Sequence, residues 1–145
     1  MQNSVSNMSK NFSLRVYYED TDAGGIVYYA NYLKFFERAR TEWLRELGVN
    51  QASFLEQNIG FVVRKVEMDN IASAKLDDLL NVNSTVISLK RASLVFHQKI
   101  TNQAKQVICT ATVCVACVNF QSHNGQKVKP VAIPESILGA LKRVC

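Results

Sequence analysis

The feature that most constrains this chain is a long amphipathic helix set between one short strand and four consecutive strand-like runs. Between residues 30 and 47, Leu33, Phe36, Trp43, Leu44 and Leu47 recur at helical spacing on one side, while Lys34, Arg38, Thr41, Glu42 and Arg45 gather on the other. Tyr32, Phe35 and Ala39 widen the apolar face beyond a narrow stripe, so the helix is expected to be largely enclosed by a sheet. Gly48 supplies its C-terminal stop. Residues 12–18 read as the first strand, and an acidic, glycine-containing loop over 19–25 joins that strand to the helix. A second short helix is expected over 51–57, capped by Asn50 and ended by Gly60. Residues 61–69, 79–90, 94–102 and 107–120 are rich in β-branched side chains and read as strands. The connectors 75–78, 91–93 and 103–105 are hairpin-sized, which favours an antiparallel meander over a βαβ series. Residues 122–125 read as a loop, and Pro134 opens a last helix that runs to Arg143. The sum is an α+β fold in which antiparallel strands wrap one long helix.

With 145 residues, 48% hydrophobic and 20% charged, the chain can bury one core, and a single domain is expected over 12–145 behind a flexible polar N-terminus, 1–11. No run approaches the roughly 18 to 20 apolar residues of a membrane-spanning helix, and no secretory leader is read at the start, so the expected location is the cytoplasm. The four cysteines then read as reduced thiols. Cys114 and Cys117 have CxxC spacing, but in a strand they point to opposite faces and can share neither a metal nor a disulfide. Cys145 reads as a frayed terminal thiol. The net charge of +5 favours anionic partners. The basic residues are dispersed and carry no nucleic-acid-binding motif, so a polyanionic small ligand such as coenzyme A accounts for the imbalance better than nucleic acid does.

Several chemistries lose their support. The chain has no GxSxG elbow, no GxxxxGK[ST] phosphate loop and no GxGxxG dinucleotide turn. Of its two histidines, His97 falls mid-strand and reads as a structural group, while His123 falls in a loop tip; neither has metal-ligand spacing. No metal site is expected. The acidic loop survives this filter. Glu19, Asp20 and Asp22 lie just before a long helix, where a carboxylate can act as general base or nucleophile while backbone N–H groups at the helix start stabilise an oxyanion. The loop by itself leaves other readings open: a helix cap, a plain turn, or the DxDxT nucleophile of a haloacid-dehalogenase phosphatase, although the threonine that motif needs is Gly24 here.

The run Arg15-Val16-Tyr17-Tyr18-Glu19-Asp20-Thr21-Asp22-Ala23-Gly24-Gly25-Ile26-Val27-Tyr28-Tyr29-Ala30-Asn31-Tyr32-Leu33 resembles the signature of the 4-hydroxybenzoyl-CoA thioesterase class of hotdog proteins. Within that class the chain is most similar to the YbgC-type acyl-CoA thioesterases associated with the Tol-Pal envelope system. The similarity continues through Phe36-Glu37-Arg38-Ala39-Arg40-Thr41-Glu42, Ala74-Lys75-Leu76-Asp77-Asp78 and Lys129-Pro130-Val131. The resemblance implies a hotdog fold, a curved antiparallel sheet around a central helix, and protomers paired as a homodimer or as a tetrameric dimer of dimers with sites between them. It implies that Asp22 is the nucleophile or general base and that the backbone N–H at Tyr29 polarises the thioester carbonyl. It puts Lys90 and Arg91 where such proteins bind coenzyme A phosphates. Many YbgC-type members carry His at the position of Tyr29, whereas this chain has Tyr, as aromatic-substrate members do. A backbone role tolerates that exchange, and the acyl preference is left open.

The expected reaction is hydrolysis of an acyl-CoA thioester to free acid and coenzyme A, with no cofactor beyond the coenzyme A of the substrate. The alternative is a non-hydrolytic module that binds acyl-CoA or an acyl carrier protein. Arg40 projects into the apolar face of the long helix, and a buried arginine is costly unless paired. It is therefore expected to bind a carboxylate, either Glu37 or a member of the 19–22 loop.

Overall fold

The computed structural model describes residues 9–120 and 129–145. Strand β1 (Ser9–Arg15) leads through a single 3-10 turn at Tyr18–Asp20 into helix α1 (Asn31–Glu46), then helix α2 (Gln51–Glu56). Strands β2 (Ile59–Asn70), β3 (Leu79–Leu89), β4 (Ser93–Thr101) and β5 (Val107–Asn119) follow, then the two-residue strand β6 (Lys129–Pro130) and helix α3 (Glu135–Val144). All pairings are antiparallel, in the order β1-β3-β4-β5-β2, with β6 also paired to β5.

The four main strands and the long helix fall close to their expected bounds, but the meander is only partly realised. β3, β4 and β5 are joined by hairpins, whereas β2 crosses the sheet to pair with the far side of β5, Ile59 opposite Asn119 and Asn70 opposite Cys109. The segment 71–78 is therefore a crossover and not a hairpin turn. β1 starts three residues earlier than expected, so Ser9, Lys10 and Asn11, read as flexible, pair with Thr85, Ser84 and Asn83. The other residues of that N-terminal expectation, 1–8, lie outside the described residues, as do the 122–125 loop and His123. Gly60 does not end α2; it is already in β2, and the chain turns at Asn58, which adopts φ +64°. Asn50 caps the helix as expected, its side chain accepting from the Ser53 N–H at 3.2 Å.

The core lies between α1 and the inward row of the sheet. Tyr32, Phe35, Phe36, Ala39, Trp43 and Leu44 of α1 are buried. They face alternate residues of the strands: Leu80, Val82 and Val86 on β3, Leu94, Phe96 and Ile100 on β4, Ala111, Val113 and Val115 on β5. That period of two is what a sheet with one covered face requires. Trp43 meets Phe96 edge to face with ring centroids 5.4 Å apart. Leu33, expected on the buried face, is 42% exposed, so the covered face of α1 is narrower near its start than the sequence pattern suggests.

Candidate active site

The acidic loop assigns different work to its carboxylates. Asp20 is occupied by local structure: its Oδ2 accepts the Tyr17 N–H at 2.9 Å and closes the 3-10 turn. Its carbonyl accepts the Asn31 side-chain amide at 2.8 Å and the Tyr28 N–H at 3.4 Å, which ties the turn to the start of α1. Glu19 is exposed. Asp22 is exposed as well, and its Oδ1 accepts the Gly24 N–H at 2.9 Å. Its backbone closes a tight ribbon, Asp22 N–H to Ile26 O at 2.9 Å and Gly25 N–H to Asp22 O at 3.1 Å. Gly25 sits at φ +74°, a conformation that glycine adopts without the Cβ penalty. Among the described residues, Asp22 Oδ2 accepts no hydrogen bond.

The other half of the arrangement is the start of α1. Its N-cap, Ala30, has no side chain that can cap the helix. Asn31, Tyr32 and Leu33 donate their N–H groups back to Tyr28, Tyr29 and Ala30. The N–H of Tyr29 enters no backbone hydrogen bond within the described residues. A donor left open at the positive end of a 16-residue helix can meet a developing negative charge. The Tyr28 and Tyr29 rings lie 5.1 Å apart and are about half exposed beside it.

The expected phosphate-binding pair is elsewhere on the same protomer. Lys90 and Arg91 are exposed in the turn between β3 and β4 and line an open groove of about 830 Å³ with Glu135, Leu138 and Lys142 of α3. No residue of the 19–29 segment lines that groove.

Arg40 departs from its expectation. Its Nη1 donates at 2.9 Å to Oε1 of Gln98, an uncharged acceptor, and among the described residues no carboxylate lies within ion-pair distance. Burial pulls the guanidinium below its ordinary pKa, and the charge of Glu37 partly opposes this. Gln98 is fully buried on β4, and its amide nitrogen donates to the Phe36 carbonyl at 3.0 Å and to Ser84 Oγ at 2.8 Å. Arginine therefore closes a polar node that joins α1 to two strands, instead of holding the acidic loop. Sequence reasoning missed Gln98, although its place in the inward alternation Leu94, Phe96, Gln98, Ile100 was a signal.

His97, read as structural, points outward from β4 and is exposed. Cys114 is partly exposed on β5, Cys117 is buried on its other face, and both are free thiols. Cys145 is half-buried in the groove wall beside α3. No helix among the described residues is long and apolar enough to cross a membrane.

A curled antiparallel sheet around one long helix, with an acidic loop leading into the helix start, defines a hotdog protein of the thioesterase type. Residues 16–141 match the family model described as the thioesterase-like superfamily. The acyl-CoA thioesterase YbgC of Haemophilus influenzae is 48% identical over 130 residues, covering 89% of this chain and 91% of its own length. The acyl-CoA thioester hydrolase YbgC of Escherichia coli O157:H7 is 44% identical over 130 residues, covering 90% of this chain and 93% of its own. The 4-hydroxybenzoyl-CoA thioesterase of Pseudomonas sp. strain CBS-3 shares the fold, with a TM-score of 0.80 at 19% identity over 91% of this chain and 98% of that one. The chain belongs to the thioesterase-like superfamily and, within it, to the YbgC acyl-CoA thioesterases.

Proposed function

We propose that this chain hydrolyses an acyl-CoA thioester to the free acid and coenzyme A, with Asp22 as the catalytic carboxylate. The observation that carries the activity is the 48% identity to a YbgC acyl-CoA thioesterase over nearly the full length of both chains. The role of Asp22 is supported by its exposure and its uncommitted Oδ2, in contrast to Asp20, which is engaged in the turn. The open N–H of Tyr29 supports a role as donor to the thioester oxygen.

The chemistry balances in either of two ways. As general base, Asp22 takes a proton from water while the water oxygen bonds the thioester carbon; the carbonyl electrons move to the oxygen at Tyr29, then return as the C–S bond breaks. The departing thiolate takes up the proton. As nucleophile, Asp22 bonds that carbon first and expels the thiolate, and water then opens the mixed anhydride. Coenzyme A enters as part of the substrate, and the reaction uses no resident metal or cofactor.

Lys90 and Arg91 hold the coenzyme A phosphates in this reading. Their groove does not adjoin the Asp22 loop of the same protomer, which favours a site shared across a homodimer or a dimer of dimers. In this reading the enzyme acts in the cytoplasm, in support of the Tol-Pal envelope system, and acyl carrier protein is a second acyl donor. The test is thiol release from a panel of aliphatic and aromatic acyl-CoAs. Release well above the uncatalysed rate for at least one of them is expected. Tight binding of the panel without release would instead define a binding module.

A further inference from the structure

We infer that Tyr32 is a positioning residue for this reaction, its hydroxyl fixing the Asp22 loop against the start of α1 through the peptide groups of Ala74. The inference rests on the carboxylate reading of Asp22. Tyr32 is 2% exposed, and a hydroxyl buried that deeply needs a partner. Its partner is the Ala74 N–H, which donates to the phenol oxygen at 3.0 Å. Burial pushes the phenol pKa up, so it stays neutral at working pH.

Ala74 is fully buried, and both its backbone groups are used in opposite directions. Its N–H reaches α1, and its carbonyl accepts the Val27 N–H of the acidic loop at 2.9 Å. The same crossover continues the grip: Ile26 bridges Lys75, and the Leu76 N–H donates to Gly25 at 3.0 Å. The crossover is itself anchored by Asp78, whose carboxylate accepts the Lys75 N–H and the Gln103 side-chain amide. The returning arm of the ribbon that carries Asp22, residues 25–27, is thus paired with 74–76, and Tyr32 is where that pair is fastened to the helix whose start presents the Tyr29 N–H. Asn31 makes a second, separate fastening at Asp20. Loss of the Tyr32 hydroxyl should loosen the alignment of base and donor without abolishing it, because small misplacements of reacting groups carry large rate penalties.

Tyr32→Phe keeps the buried ring and removes the hydroxyl that accepts from the Ala74 N–H. The expected result is a fall in kcat of about tenfold with KM within twofold of wild type, as for an interaction that acts in the transition state. A general loss of stability could lower kcat too, so the deciding readout is a double-mutant cycle with Asp22→Asn. If Tyr32 acts by aligning Asp22, its removal costs little once the carboxylate is gone. The same loss in both backgrounds would mark a structural role and overturn the inference. Unchanged kcat in Tyr32→Phe would overturn it while leaving the carboxylate reading in place. Wild-type activity in Asp22→Asn alone would overturn both.

Discussion

Two polar constellations flank α1, and they differ in what they leave unfinished. At the middle of the helix, Gln98 uses its carbonyl on Arg40 and its amide on Phe36 and Ser84, all inside the fold. In the loop that leads into the helix, one carboxylate oxygen of Asp22 and the N–H of Tyr29 have no partner among the described residues. Satisfied buried groups lock packing, because an orphaned partner carries the full desolvation penalty. Groups held in place but left unpaired at the surface remain available to a substrate. The node serves the architecture, and the loop is the part we propose for the reaction.

The sharpest way to break that division is at the node. Gln98→Leu keeps the approximate volume but leaves Ser84 and Arg40 without their partner, and it should cost about 2–4 kcal/mol of stability. For a chain of this size that lowers Tm by roughly 5 °C or more, measurable by calorimetry. Remaining activity per folded molecule should stay near wild type.

Alkaline titration probes the same core by a different group. Burial, aided by the nearby Asp69, pushes the Cys109 thiol up to about 12 from an ordinary 9.0, and burial pushes Cys117 up as well. Their folded pKa values are raised, so their contribution to stability is fully present below the unfolded value and is lost as pH rises from about 9 towards 12. Denaturant midpoints measured across that range should fall. A thiol reagent at neutral pH should leave both cysteines unmodified until the chain unfolds.

Smaller still is the effect expected on the cationic groove. Lys90→Ala with Arg91→Ala should raise KM several-fold with little change in kcat, and the difference should shrink as salt is added, since exposed charges are screened. Asp22→Asn should alter stability least of all, within about 0.5 kcal/mol, because asparagine retains the Oδ1 that accepts from Gly24.

The elements were legible where the signal is local. Helical spacing over 30–47 and β-branched runs located α1 and the four long strands to within two residues at nearly every end, because period and propensity act over a few neighbours. The crossing of β2 to the far side of β5 was not legible, since it depends on how the 71–78 segment packs and not on any property of the strand itself. Arg40 and Gln98 lie 58 residues apart, so the sequence announced a buried charge without naming its acceptor. Asp22 and Tyr29 were legible as candidates through the motif around them. Tyr32 and Ala74 were not, because a buried tyrosine in an apolar stripe reads as core until the hydrogen bond from its distant partner is seen.

The most direct test of the account sets the two constellations apart in one protein. Thiol release from a turned-over acyl-CoA and Tm should be measured side by side for wild type and Asp22→Asn. Loss of roughly two to four orders of magnitude in kcat, with Tm essentially unmoved, is the predicted result for removal of a catalytic carboxylate. Activity within about tenfold of wild type, below the usual effect of deleting a general base, would contradict the assignment of Asp22.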